Sequence, residues 1–274
     1  MAVTGSGPLV LFVHGYPQFW WAWRHQLPAV AAQGYRAAAV DLRGFGASDK
    51  PPAGYDLATA CDDLAAIVRS LGADDAALVG LGLGGWVVWS MPTHQSGVTR
   101  AIAPFGVPHP AVFHRAMWRH PLQWRANQYL RAMQAPFASE RQPLTVSRRL
   151  NAWSGSDTSW ITDEVTERYT EAMSVPFAGQ AAAEYHRWFY RCRLTPSGVR
   201  YLHKLQGRID VPVLQLHGAE DHTSLPVLAA ESSRFVEGPL ARASVAGAGH
   251  FVPEEAPEEV TDALSAWLTA AHPA

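Results

Sequence analysis

Acidic residues are missing from a long central stretch: no aspartate or glutamate stands between Ala76 and Ser139. No carboxylate chemistry can therefore come from that segment. Cysteine is scarce as well. Cys61 and Cys192 are too few for a disulfide scaffold, so a reduced, cytoplasmic setting is expected. Long apolar runs are absent. The longest early one, Leu9 to Val13, is too short for a signal h-region, and nothing approaches the roughly 18 apolar residues of a membrane span. The net charge of −2 gives no global reason to bind nucleic acid or an anionic membrane. No HExxH or CxxC occurs, and His217 and His222 flank Asp221 without metal-ligand spacing, so neither metal nor cofactor is expected. There are no internal repeats and no low-complexity tracts.

What is present is a large apolar fraction, 48% of 274 residues, enough for one α/β core with an insertion. Strands are predicted at 9–14, 36–42, 76–80, 99–105, 211–217 and 242–246, and helices at 19–33, 57–71, 84–94, 225–235 and 257–271. The strand runs are near-continuously apolar rather than alternating, as in a parallel sheet covered on both faces. The order implies right-handed crossovers and a doubly wound, mostly parallel sheet. The alternation breaks across 107–207, which is rich in Trp, Arg and Tyr and punctuated by proline. This is read as an α-helical cap on a core formed by 1–106 and 208–274. Eight arginines and one acid, Glu140, lie between Arg100 and Arg149. They predict either a solvated basic face or the steering of an anionic ligand or an acidic partner.

Four motifs resemble one family. They are His14-Gly15-Tyr16-Pro17 with the aromatic run that follows it, Asp41-Leu42-Arg43-Gly44-Phe45-Gly46, Leu216-His217-Gly218-Ala219-Glu220-Asp221, and Gly249-His250-Phe251-Val252-Pro253. Together they are similar to α/β-hydrolases of the epoxide hydrolase and haloalkane dehalogenase branch. The resemblance implies that fold, with the cap between the family's sixth and seventh strands. The family carries two strands before the one at Leu9, and only Ala2–Thr4 stands there to form part of one. The fold is thus expected to be N-terminally short, with a sheet edge that invites pairing with a second copy, a homodimer.

The nucleophile elbow departs from the family. Where the pattern has Gly-His-Asp-Trp-Gly-Gly, or serine in third place, this chain has Gly80-Leu81-Gly82-Leu83-Gly84-Gly85. Glycine tolerates the strained backbone of an elbow, which costs other residues about 1–3 kcal/mol. The turn can persist while the attacking atom is lost at Gly82. Ser90 falls on the following helix, and Ser48 and Asp49 read as turn residues. The glycine spacing also spells a dinucleotide fingerprint, but no acid follows at the distance a ribose needs.

The rest of the site follows from the resemblance. Asp221 is expected to orient His250, leaving the imidazole as general base, acid or both. The backbone N–H groups of Tyr16 and Leu83 are the oxyanion donors. A leucine at 83 offers no indole to a halide. Tyr129 matches the first of two proton-donating cap tyrosines. The second slot falls at His186, beside Tyr185. His14, Trp20, Tyr185 and Phe251 are expected near the substrate, although His14 and Asp41 also suit a purely structural role in positioning loops. Cap tryptophans 118, 124, 153, 160 and 188 fit either an apolar pocket or a packed cap. Two functions remain open. One is an enzyme using a His250–Asp221 dyad on an apolar small molecule without a covalent nucleophile. The other is an inactive relative that binds a ligand or a protein.

Overall fold

The structure is a computed structural model that describes every residue except Glu140, and every other side chain except that of Pro226. Seven strands form one sheet: β1 (Ala2–Thr4), β2 (Leu9–Val13), β3 (Arg36–Val40), β4 (Ala76–Leu81), β5 (Thr99–Phe105), β6 (Val213–Gly218) and β7 (Leu240–Val245). Their order is β1-β3-β2-β4-β5-β6-β7. Every neighbouring pair is parallel except β1 with β3. This is the expected mostly parallel sheet. The residues ahead of Leu9 supply one short antiparallel strand, with Thr4 opposite Ala37.

Helices α1 (Gln26–Ala32), α2 (Leu57–Ser70) and α3 (Leu83–His94) connect the first parallel strands. The sequence predicts one helix over 19–33. The structure instead has a short 3-10 turn at Trp20–Trp23 and then α1. Pro28 has no N–H to donate to residue 24, so regular helix begins only where the proline falls in the first turn. Between β5 and β6 lie α4 (Pro110–Arg119), α5 (Pro121–Ala126), α6 (Gln128–Ala132), α7 (Val146–Trp153), α8 (Asp163–Ser174), α9 (Ala178–Arg191) and α10 (Pro196–Lys204). No strand occurs among the described residues there. The chain closes with α11 (Pro226–Ser232), α12 (Val252–Glu255) and α13 (Pro257–Ala271). β6 starts two residues later than predicted, just past Pro212, which lacks a ladder donor. β7 starts earlier than predicted, at Leu240.

β2 and β4 are buried at every residue, the reason for their unbroken apolar character. The chain passes from β2 to β3 on one side, then crosses back over β2 to β4. The strand order reverses between β2 and β4, and in such sheets the crevice at the carboxyl ends of those strands is where ligands bind.

The glycines after β4 are explained by packing. A Cβ on Gly80 would lie 2.5 Å from Gly84 O, one on Gly84 would lie 2.4 Å from Val13 O, and one on Gly85 would lie 2.7 Å from Val107 Cγ2. Helix α3 therefore sits directly on the end of β2, and the Gly84 N–H donates to His14 O at 3.2 Å. Gly84→Ala should destabilise the fold by about 3 kcal/mol or more, because the obstructing atom is backbone. Gly97→Ala, where a Cβ would meet nothing within 4 Å, should change stability by about 0.5 kcal/mol or less. Urea unfolding of the two variants checks the contrast.

Candidate active site

Gly82 forms the sharp bend between β4 and α3, with φ 55° and ψ −114°. This is backbone that only glycine adopts without strain. Its N–H donates to Phe105 O at 3.1 Å, and its carbonyl accepts from the Trp86 N–H at 3.0 Å, so strand, bend and helix are continuous. A side chain at this position would place its Cβ 2.8 Å from His250 Nε2 and 3.7 Å from Gly15 Cα. Leu83 opens α3, where a backbone N–H has no carbonyl one turn back to accept it. The start of this helix also favours negative charge.

His250 follows β7 and is buried. Its Nδ1 lies 2.9 Å from Asp221 Oδ2 and 3.0 Å from Thr223 Oγ1. Asp221 Oδ1 accepts from the Thr223 N–H and hydroxyl, each at 2.7 Å, and from the Ser224 N–H at 3.3 Å. Burial alone would raise the Asp221 carboxyl. The charge and hydrogen bond of His250, together with the Thr223 donors, outweigh it and hold the group below its ordinary value. With Asp221 ionised, Nδ1 carries the shared proton and Nε2 is left facing Gly82. Thr223 is the one hydroxyl hydrogen-bonded to the imidazole among the described residues, and it lies on the Nδ1 side.

The loop carrying His250 is fixed by two acids, the half-buried Glu255 and the buried Glu254. Glu255 accepts from the backbone N–H groups of Gly155, Gly249 and Phe251, at 2.7, 2.8 and 2.7 Å. Glu254 is paired with Arg24 at 2.5 Å and accepts from Tyr169 at 2.8 Å and from Gln18. The His250 N–H donates to Trp153 O at 2.7 Å, which joins the loop to the end of α7.

Over Gly82 and His250 lies a cavity of about 20 Å³, space for a water and little more. Tyr16, Tyr129, Trp153 and His186 close it from above. Their rings meet edge to face: Trp153 lies 5.7 Å from His250 and 4.9 Å from Tyr129, and Tyr16 lies 5.1 Å from His186. Burial and the charge of Asp221 push the Tyr129 phenol well above its ordinary range, so it is protonated and able to donate. Tyr16 donates to Gln142, and the Arg149 guanidinium covers its ring at 5.0 Å.

Of the residues expected in the site, the structure brings His250, Asp221, Tyr129, His186, Tyr16, Gly82 and Leu83 together. For His186 it corrects the expected role of donor. Nδ1 donates to Ala182 O at 2.6 Å, and burial, offset only in part by that bond, holds the imidazole at about 4. The ring is neutral and its remaining nitrogen accepts. The four residues expected near the substrate lie off the cavity. His14 Nδ1 bonds Gly15 O and its Nε2 accepts from Leu42 N–H. Trp20 donates its backbone N–H to Asp41 and packs on Phe19. Tyr185 is buried between Phe45 and Tyr55. Phe251 backs the ring of His250 rather than lining the cavity. Sequence reasoning placed neither Thr223 nor Trp86 in the site. Trp86 lines the cavity, and its buried indole N–H has no partner among the described residues. Of the arginine-rich stretch, Arg149 turns inward, while Arg115 pairs with Glu231 at 2.5 Å. Glu140, the acid in that stretch, lies outside the described residues.

Comparison with known proteins bears on the family and the fold. Residues 10–263 match the model of a family described as the alpha/beta hydrolase family. Epoxide hydrolase 3 of Xenopus tropicalis is 28% identical over 281 residues, 95% of this chain and 71% of the relative. The AB hydrolase superfamily protein YfhM of Bacillus subtilis is 28% identical over 274 residues, 96% of this chain and 91% of its own. A crystal structure of Bacillus megaterium epoxide hydrolase in complex with an inhibitor superposes with a TM-score of 0.81 at 23% identity, covering 98% of this chain and 95% of that one. At that identity the likeness shows the fold alone.

Four buried histidines make the fold sensitive to acid. Burial holds His114, His186 and His217 at about 4 and His109 at about 3, against an ordinary 6.5. Between about 4 and 6.5 the unfolded chain binds protons that the folded chain does not. Stability therefore falls as the pH drops through that window, by up to about 1.4 kcal/mol per pH unit for each histidine. His186→Gln should flatten the slope by about one proton, measured by urea unfolding across the same range.

Proposed function

This chain belongs to the alpha/beta hydrolase family, and from that premise we propose that it is an epoxide-hydrolase-like enzyme working without a covalent nucleophile. The observation that carries the reading is the position of Gly82. A side chain there would point at His250 Nε2 from 2.8 Å, the relation of nucleophile to base, and the chain places no attacking atom at that point. The acid–base pair beside it is intact.

In this reading His250 Nε2 takes a proton from a water over Gly82, or from the substrate itself. Asp221 stabilises the resulting imidazolium. The N–H groups of Tyr16 and Leu83 hold a developing oxyanion. Tyr129 protonates the leaving oxygen, and His186 accepts a hydrogen bond from the substrate. The reactions within reach are water addition, elimination, isomerisation and cyclisation on an apolar small molecule. The names of the relatives point to an epoxide as substrate, and with no carboxylate at position 82 the attack on it falls to water directly. The water proton passes to His250, the C–O bond opens, Tyr129 protonates the alkoxide, and the phenol regains its proton from the imidazolium through solvent.

One observation favours a second reading, an inactive relative that binds a ligand or protein. The cavity is about 20 Å³, whereas small-molecule sites run to roughly 300–1,000 Å³. A productive complex therefore needs the cap residues to open. One comparison decides between the two. Wild type and His250→Ala are assayed on apolar epoxides and on candidate substrates for proton transfer. Catalysis by the dyad predicts a loss of at least about 100-fold in kcat/KM in the variant; equal turnover overturns the dyad mechanism, and no turnover in either supports the inactive reading.

The missing nucleophile has its own test. In Gly82→Asp the new Cβ lies 2.8 Å from His250 Nε2 and 3.7 Å from Gly15 Cα, and the left-handed backbone adds about 1–3 kcal/mol of strain, so the ring must shift slightly and circular dichroism checks that the variant folds. Combined with Leu81→His and Leu83→Trp, it should give an ester trapped on residue 82 from an epoxide. Wild type should give none by mass spectrometry.

A further inference from the structure

The face of β6 that carries Gln215 and His217 holds a second cavity, of about 220 Å³, separate from the one over Gly82. Its inner wall is made by those two residues, its outer wall by Arg242 and Ser244 on β7, and its roof by Ala229 and Ala230 on α11. The parallel register sets the pairing, with Gln215 beside Arg242 and His217 beside Ser244. Alternation along the two strands turns all four side chains to the same face of the sheet.

Two features of this wall suit a ligand better than a core. The Gln215 amide N–H bonds His217 Nε2 at 3.2 Å, which leaves the imidazole proton on Nδ1. That Nδ1–H and Gln215 Oε1 are both buried without a protein partner, on side chains only 5% and 1% exposed. Leaving such groups unsatisfied costs about 1–3 kcal/mol each. At the mouth Arg242 is exposed and has no acid paired with it among the described residues. A donor and an acceptor thus lie just beneath the wall, closed to solvent, beside an exposed cation, and a ligand meets them once the two side chains turn outward.

We propose that this cavity binds a small carboxylate bearing a neighbouring hydrogen-bond donor, an α-hydroxy or α-amino acid. The guanidinium of Arg242 and the His217 Nδ1–H hold the carboxylate, and the hydroxyl or ammonium donates to Gln215 Oε1. Ser244 adds a hydroxyl at the rim. Arg242 supplies the planar fork that pairs a carboxylate bidentately. The site lies one loop from Asp221 yet shares no residue with the cavity over Gly82, so it stands whether or not the proposed catalysis does.

The probes are sodium glycolate, glycine and acetate, titrated into the full chain by calorimetry. The His217 ring resonances are followed by ¹H–¹⁵N NMR. Glycolate or glycine should bind with a millimolar dissociation constant and move the His217 Nδ1–H signal. Acetate, which lacks the donor, should bind about tenfold more weakly. Arg242→Gln, a surface change, and Gln215→Leu, which removes an unsatisfied amide, should both fold and each weaken binding by about tenfold or more. Absence of heat and of any His217 shift at about 0.1 M ligand would mean that water alone satisfies the cavity, and would overturn the proposal. So would equal binding by wild type and both variants.

Discussion

A helix can begin within one residue of a parallel strand's end only if nothing projects between them. Here α3 begins two residues after Leu81 and lies against the last carbonyl of β2. Glycines at 80, 84 and 85 make that approach, each at a place where a single methyl would collide. The bend at Gly82 follows, because the chain must reverse from strand to helix in one residue, with its N–H still held by β5. Every catalytic option depends on this closeness. It sets the helix start, the first free N–H of α3, and the point in space that faces the imidazole.

The acid–base pair is oriented by saturation. Three donors from Thr223 and Ser224 occupy one oxygen of Asp221, which leaves the other to His250 Nδ1. The imidazole is thereby fixed in one tautomer, with the second nitrogen turned to Gly82. Its backbone is held as firmly, since Glu255 gathers three N–H groups from the His250 loop and from Gly155 in the segment after α7. Gly106 makes room for the ring, because a Cβ there would lie 3.2 Å from His250 Nδ1. The dyad, the cap and the sheet are thus one packed unit.

The sheet was legible because unbroken apolar runs mark strands buried on both faces. Asp221 was legible because it follows the buried β6 within a motif, and His250 because of its motif alone, since β7 ahead of it is buried only at its last residue. The residues misplaced by sequence reasoning share a cause. His14, Trp20 and Tyr185 stand beside site residues in the chain, yet adjacency does not say which way a side chain points. His14 turns into the loop after β3 to satisfy Leu42 N–H, and Tyr185 turns away from the cavity although its neighbour His186 faces it. Trp153 was one of five cap tryptophans with equal claims. Its role over His250 depends on the angle at which α7 meets the His250 loop, and no pattern within either segment encodes that angle. The Thr223 hydroxyl donates to Asp221 only two residues away, a local contact. That it also reaches an imidazole 27 residues away is a tertiary fact.

Gly82 changes which reactions the site can favour. In triad hydrolases, loss of the nucleophile leaves only about 10³–10⁴ of rate over water, supplied by the oxyanion donors and by binding. That remainder is small against a stable ester or amide. It is substantial for a reaction whose barrier is already low, such as opening a strained ring or moving a proton next to a carbonyl. General acid–base catalysis supplies about 10²–10⁴ by itself, provided donor and base are held on opposite sides of the reacting atoms. In the proposed mechanism the base is His250 Nε2 and the donor is the protonated phenol of Tyr129, both of which line the cavity. A closed aromatic roof of Trp153, Tyr16 and His186 raises the value of each charge that develops beneath it, because few water dipoles remain to screen it. The geometry therefore favours substrates that carry their own reactivity and need only a proton taken from one side and returned on the other.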